Sequence, residues 1–254
     1  MADRFRFYLL YLVTAERRRE FRKENPRVKL PPDYLIYESF RLDYERYYFG
    51  GRNTARWVIS HLEKYISLDN AAILDWGCGP ARVLRHLPEM VSSSCRLYGT
   101  DYNPATVRWD RDNIGGAEFS LNDTEPPLSY ADNYFDAVYG ISIFTHLSEK
   151  LHYQWFAELI RAIRPGGILL LTLQGKAFTA KLTPAERHGF EQGRLVVRGH
   201  TKVGHRTWSA FHPSDFVRKL AHPHEVVDFE EGGITNGQPA QDVWIIRVNK
   251  SPRP

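Results

Sequence analysis

Between Ala71 and Leu173 the chain alternates short apolar runs with amphipathic ones, and few architectures accept that order. The runs "AAILD", "CRLYGTD", "AEFSL", "YFDAVYGIS" and "GILLLTL" read as strands, the last apolar throughout, as in a strand covered on both faces. Helices are predicted over Pro80–Leu87, over Pro104–Asn113 with its proline in the first turn, and over Ser148–Ile163. In that third helix Leu151, Trp155, Leu159 and Ile163 mark one face, Ser148 can cap the start, and Pro165-Gly166-Gly167 follows the end. Beyond an irregular polar stretch come a helix at Pro213–Leu220 and two strands, "EVVDFE" and "DVWIIRV". The expectation is an α/β fold: a doubly wound, seven-stranded mixed sheet with an antiparallel edge strand and an insertion, residues 174–212, after strand five.

Residues 1–50 read as a helical, aromatic arm and 51–254 as the α/β domain, with "ENPRVKLPPDY" a linker and Gly50-Gly51 a break between two helices. The net charge is +4, which makes no case for a nucleic-acid partner, yet it is unevenly spread. Residues 1–30 hold nine Lys or Arg and four acids, a net +5, so the remainder sums to −1. Two cysteines, Cys78 and Cys95, suggest no disulfide framework. "FRFYLLYLV" is too short to span a bilayer and lacks a small-residue cleavage site, so a cytoplasmic protein without stable membrane insertion is expected. The basic, aromatic N-terminus can pack on the domain, join a homodimer, or touch an anionic surface or protein partner peripherally.

The turn after the first strand, "LDWGCGPARVL", is glycine-rich without being a phosphate cradle. A P-loop needs four residues between its glycines and a Gly-Lys-Ser/Thr end, and the dinucleotide fingerprint needs a third glycine where this chain has Arg82. Asp75, two residues before Gly77, would repel a pyrophosphate and attract a cation. A ligand bearing an ammonium and a sulfonium fits that electrostatics.

"DWGCG" (Asp75–Gly79) resembles the first motif of the class I S-adenosylmethionine-dependent methyltransferases, an acid followed by x-G-x-G. The resemblance implies that the backbone of Gly77, Cys78 and Gly79 approaches the methionine part of that cofactor, with Asp75 near its ammonium group. Asp101 ends the next strand, 26 residues on, where a carboxylate can accept both ribose hydroxyls; it also reads as an N-cap for the helix at Pro104. Tyr102 follows, beside the adenine. In the family the turn after strand three reads the adenine amino group; Asn122 or Asp123 occupies that place here, "FDAV" (Phe135–Val138) resembles the start of strand four, and Ile141 stands at its end as a further cofactor neighbour. "SIFTHLSEKLHYQWFAELIRAIRPGGILLLT" is similar to the segment joining strands four and five in small-molecule members of the class.

The signatures of amino-methylating DNA enzymes, of cytosine C5 enzymes and of metal-dependent catechol-type enzymes are missing, and the loop cluster His222–Glu225 lacks a third spaced ligand, so no metal is expected. Methyl transfer needs positioning and, for an oxygen acceptor, a base. Candidate bases are His146, which also reads as a cap for the following helix, His205 and His212; Tyr44 and Tyr48 are candidates for shaping the acceptor site, Tyr47 beside them. "PPDYL…RLDYE" and "AFHP…QDVWI" are similar to ends of bacterial enzymes of saccharide or secondary-metabolite assembly. The expected function is O-methylation of such a small molecule; the alternative is a methyltransferase-fold scaffold that binds a membrane surface or protein partner through its N-terminus.

Overall fold

The computed structural model describes residues 2–199, 208–235 and 237–250. The chain opens with helices α1 (Ala2–Val13), α2 (Ala15–Glu24), α3 (Asp33–Phe40) and α4 (Tyr44–Leu62). It continues through β1 (Ala72–Trp76), β2 (Arg96–Asp101), α5 (Pro104–Asn113), β3 (Glu118–Leu121), β4 (Phe135–Ile141), α6 (Glu149–Ala162) and β5 (Ile163–Leu173). Then follow α7 (Pro184–Glu191), β6 (Val196–Arg198), β7 (Ser209–Phe211), α8 (Ser214–Ala221), β8 (Glu225–Glu230), β9 (Ile234–Thr235), β10 (Gln238–Pro239) and β11 (Asp242–Arg247).

Seven strands form one sheet in the order β3-β2-β1-β4-β5-β11-β8. The five from β3 to β5 are parallel, β11 runs antiparallel to β5, and the edge strand β8 pairs antiparallel to β11. Successive side chains in a strand point to opposite faces, and the core divides accordingly. Leu74 and Trp76 of β1 and Leu169, Leu171 and Leu173 of β5 pack with α6 and α8. Ile73, Ile168 and Leu170 face the other way, onto Ala55, Val58 and Leu62 of α4 and Val107 of α5. That alternation sends Asp75 toward α4 and α5 and Trp76 toward α6. The strand order reverses between β1 and β4, and the cleft of an open α/β sheet forms at such a switch point, outside the carboxyl ends of the strands.

Two elements differ from the sequence expectation, and a third is resolved in more detail. Gly50-Gly51 breaks nothing: α4 runs straight through it, and a Cβ on Gly51 would lie 2.2 Å from the Arg82 carbonyl. Gly51 serves close approach between α4 and the turn after β1. Pro80–Leu87 forms turns followed by one 3-10 segment, Leu84–Glu89, because Gly79 and Ala81 both take left-handed backbone angles and Pro88 withholds an N–H. The basic N-terminal stretch is two helices meeting at Thr14, joined by Arg18, whose guanidinium stacks 3.8 Å from the Tyr11 ring centroid and bonds the Tyr11 carbonyl and Asp33.

Candidate active site

The cleft sits over β1–β4 and is lined by Trp76, Gly77, Asp101, Tyr102, the 122–124 loop, Ile143, His146, Leu147 and Trp155. Its floor is the turn after β1. Gly77 and Cys78 donate their backbone N–H groups to the Thr100 carbonyl at 2.8 and 2.9 Å, and Gly79 donates to Asp101 Oδ2 at 3.0 Å. Gly77 has φ +72°, and a Cβ there would lie 2.4 Å from the Ile143 side chain; at Gly79, φ +51°, nothing lies within 4 Å of such an atom. A side chain is therefore barred on the Ile143 side, and the Gly79 side is open backbone that a ligand can approach.

Asp101 Oδ1 accepts from Asn103 N–H at 2.8 Å. The carboxylate is thus held by backbone donors of Gly79, Tyr102 and Asn103 and keeps lone-pair capacity for hydroxyl donors. Burial raises the Asp101 pKa, against backbone hydrogen bonds that lower it. The helix cap that Asp101 also suggested is made by Asn103, whose side chain accepts from the N–H groups of Ala105 and Thr106. Asn122 is positioned by its N–H to the Asp101 carbonyl at 3.1 Å and by Nδ2 to the Asp123 carbonyl at 2.7 Å. Its Oδ1 is buried and finds no hydrogen-bond partner among the described residues. Trp155 Nε1 donates to the Thr124 carbonyl at 3.0 Å and ties this loop to α6. Tyr102 stands at the rim, its phenol pKa raised by burial, by Asp101 and by Glu38 of α3.

On the other side of the cleft, His146 Nδ1 lies 3.0 Å from the Trp208 carbonyl. A carbonyl only accepts, so Nδ1 carries the hydrogen and the neutral ring has its lone pair on Nε2. Behind it a polar network closes the ends of β4, β5 and β11: Gln241 Nε2 donates to Ser142 Oγ, and Thr172 Oγ1 donates to Gln241 Oε1, at 2.8 and 2.7 Å.

Several sequence candidates lie elsewhere. Asp75 is buried on the α4 and α5 face, beside Tyr139 and Arg82; loss of solvent pushes its pKa up to about 7, against lowering by the Tyr139 hydroxyl and the Arg82 charge. Cys78 is buried beneath the turn, its thiol pushed well up by desolvation. Ile141 packs with the core cluster on α4 and α5, and Ile143 takes the cleft position. Tyr44 and Tyr48 pack with Phe21 in the N-terminal helices, and Tyr47 donates from its hydroxyl to the Pro80 carbonyl at 2.5 Å. His212 is fully buried, its Nε2 2.9 Å from His152 Nε2. His152 Nδ1 donates to the Ser148 carbonyl at 2.8 Å, so His212 Nε2 is the donor of the pair. Both rings stay neutral: burial lowers His152 to about 4 and His212 well below its usual value. His205 lies outside the described residues.

Trp76, Thr124, Ile143, Leu147 and Trp155 complete the cleft, and the sequence does not mark them as site residues. Period two along β1 opposes Trp76 to Asp75 and would have pointed it toward α6; nothing local marks the other four.

A mostly parallel sheet with an open glycine turn after its first strand, a buried carboxylate ending the second and a polar loop after the third is the Rossmann-like arrangement of the class I methyltransferase fold. Residues 73–167 match the family model described as a methyltransferase domain. A methyltransferase of the S-adenosylmethionine-dependent kind from Methanosarcina mazei superposes with a TM-score of 0.58 at 19% identity, over 75% of this chain and 98% of that one. Magnesium protoporphyrin IX methyltransferase from Synechocystis, solved with bound S-adenosylhomocysteine, gives 0.57 at 16% identity, over 84% and 95%. The tRNA (carboxymethyluridine(34)-5-O)-methyltransferase of Arabidopsis thaliana is 31% identical over 154 residues, 59% of this chain and 34% of that protein, so the chain spans about a third of that relative's length. Residues 73–167 thus carry a methyltransferase domain, on a fold shared with S-adenosylmethionine-dependent methyltransferases. The residues present suit that cofactor, with the orphaned Asn122 Oδ1 aligned in one cleft with Asp101 and the open Gly79 backbone.

Proposed function

We propose that the chain methylates a hydroxyl oxygen of a small molecule, a sugar, glycoconjugate or secondary metabolite, with His146 as the general base. The observation that carries this reading is the place of His146: its imidazole lines the cleft, with Nδ1 held by the Trp208 carbonyl. When bound, S-adenosylmethionine supplies a methyl group made electrophilic by its sulfonium sulfur. Asp101 would accept the two ribose hydroxyls and Asn122 Oδ1 the adenine amino hydrogen, with Tyr102 at the adenine edge. The Gly77–Gly79 backbone would take the methionine part. Asp75, buried below that turn, would act on its ammonium through the field rather than by contact. His146 Nε2 would take the acceptor's proton as the oxygen attacks. The described residues of the 174–212 segment would cover the acceptor side, and the helices ahead of α4 would form an arm beside the domain.

An RNA acceptor is the second reading, favoured by the Arabidopsis relative, whose name describes O-methylation of a tRNA uridine. Outside residues 1–30 the chain carries net −1, without the cationic surplus that duplex or loop phosphates recruit. Transfer of labelled methyl groups to a panel of saccharides, glycoconjugates and bulk tRNA separates the two. Label in tRNA alone sinks the small-molecule reading, and an amine-only product sinks the oxygen one.

A further inference from the structure

The described face of α1 that looks away from the protein is apolar. Phe5, Leu12 and Val13 are each 73% exposed, Tyr8 62% and Leu9 52%. Their spacing, i, i+3, i+4, i+7 and i+8, is one stripe of an amphipathic helix. At 3.6 residues per turn the exposed Arg4 and Arg6 fall on the two borders of that stripe. The opposite face is committed to the fold: Phe7 packs edge-on against Tyr37 of α3 at 5.3 Å, and Arg18 clamps Tyr11 to α2 and to Asp33. The stripe is therefore held outward by a docked helix.

We propose that α1 seats the protein on an anionic membrane surface, with the Phe5–Val13 stripe entering the interface and Arg4 and Arg6 meeting lipid phosphates. Charge chooses this occupant. Residues 1–30 carry +5 and the rest of the chain −1, so the molecule approaches a negative surface arm first. A second copy is a poorer match, because apposed stripes would bring the arginines of both helices together. Five side chains also fall far short of the roughly 20–30 residues a side of a stable protein interface. Arginines bordering an apolar stripe extend along it and leave their charge at headgroup level. Among the described residues no helix is long and apolar enough to cross a membrane, so the contact is peripheral. Because α1 packs on α3, whose Glu38 acts on Tyr102, docking would hold the cleft close to the surface.

The test is cosedimentation of the full chain with vesicles of phosphatidylcholine, alone or mixed with phosphatidylglycerol, at low and high salt. Binding is expected to the mixed vesicles, to fall with salt, and to be weak on phosphatidylcholine alone. Phe5→Ser with Leu12→Ser, and separately Arg4→Glu with Arg6→Glu, should each weaken it about tenfold or more. Both pairs should leave the melting temperature and S-adenosylhomocysteine affinity unchanged, since these side chains are exposed. The wild-type salt and lipid dependence stands even if a variant misfolds. No binding to either vesicle, equal binding to both, or a wild-type dimer that the serine pair converts to a monomer would overturn the proposal.

Discussion

The two sides of the cleft are built in different ways. Under the glycine turn, partners are close in sequence: Gly79 to Asp101, Asp101 to Asn103, Asn122 to Asp123. Across from it, His146 is set by Trp208, His152 by His212 and Ser142 by Gln241, pairs separated by 62, 60 and 99 residues. The chemistry of the buried groups differs too. The first side holds carboxyls, Asp75, Asp101 and Asp110, whose pKa values are raised by desolvation; the second holds imidazoles whose values are lowered by it. Both sides therefore exclude charge, and they do so with opposite responses to pH. A strand-to-helix turn assembles one half of the site locally, whereas the other half needs the segment after β5 to be in place.

The largest effect tests the distant side. His146→Ala should lower kcat by about 10²–10⁴, the usual worth of a general base, while S-adenosylhomocysteine affinity stays within about twofold. Rate assays on the acceptor found by the panel, paired with calorimetric titration, check it; an unchanged kcat means that proton removal lies with another group. On the near side, Asp101→Ala should cost about 1–3 kcal/mol of cofactor binding, roughly 5–150-fold in Kd by titration with S-adenosylhomocysteine. An unaltered affinity would return Asp101 to a purely local role in holding Gly79 and Asn103.

Stability against pH sharpens the same contrast. Asp110 is fully buried, neither of its oxygens has a partner among the described residues, and desolvation with the nearby Asp101 and Asp75 pushes it up to about 8. An unfolded aspartate titrates near 3.9, so the unfolded chain loses this proton first. Stability from this group is full below about pH 4 and is lost as pH rises toward 8, with a limiting slope of about 1.4 kcal/mol per unit. Asp110→Asn should flatten that part of a chemical-denaturation profile and, at pH 8, stabilise by up to about 5 kcal/mol, less what the buried amide loses. The imidazole side runs the other way. His152, held near 4 against about 6.5 unfolded, gives stability that is present above 6.5 and is lost as pH falls toward 4. Parallel curves for wild type and variant above pH 5 would show that Asp110 is already ionised in the fold.

The smallest effect concerns the network behind His146. Gln241→Ala removes the bonds to Ser142 and Thr172. A loss of about 1 kcal/mol, read as a lowered Tm with unchanged S-adenosylhomocysteine affinity, is expected. A change in cofactor affinity instead would mean that the two sides are coupled through β4.

Much of the near side could be read directly from residues. Asp101 and Asn122 follow apolar strands at the places where a doubly wound sheet ends its strands, and Gly77 and Gly79 announce a turn that only glycine makes easily. Asp75 was legible as an acid in that turn, but its direction was not. Alternation along β1 turns it toward Arg82 and Tyr139, beneath the loop instead of into the cleft. Tyr44 and Tyr48 looked available because aromatic residues advertise both packing and binding, and the N-terminal helices use them for packing. Among the candidate bases, His146 and His212 carry the same residue type, and only their surroundings distinguish them: a cleft and a carbonyl for one, a sealed contact with His152 for the other.

What the linear order of residues settles on its own is the alternation of strands and helices, the glycine turn and the carboxylate 26 residues later, because backbone preference and periodicity act over a few residues. The fold alone decides that α4 runs through Gly50-Gly51, that Asp110 is sealed without a partner, and that Trp208 orients His146. Each of those depends on what another part of the chain brings within a few ångströms, and burial and hydrogen bonding are set by that proximity rather than by local sequence.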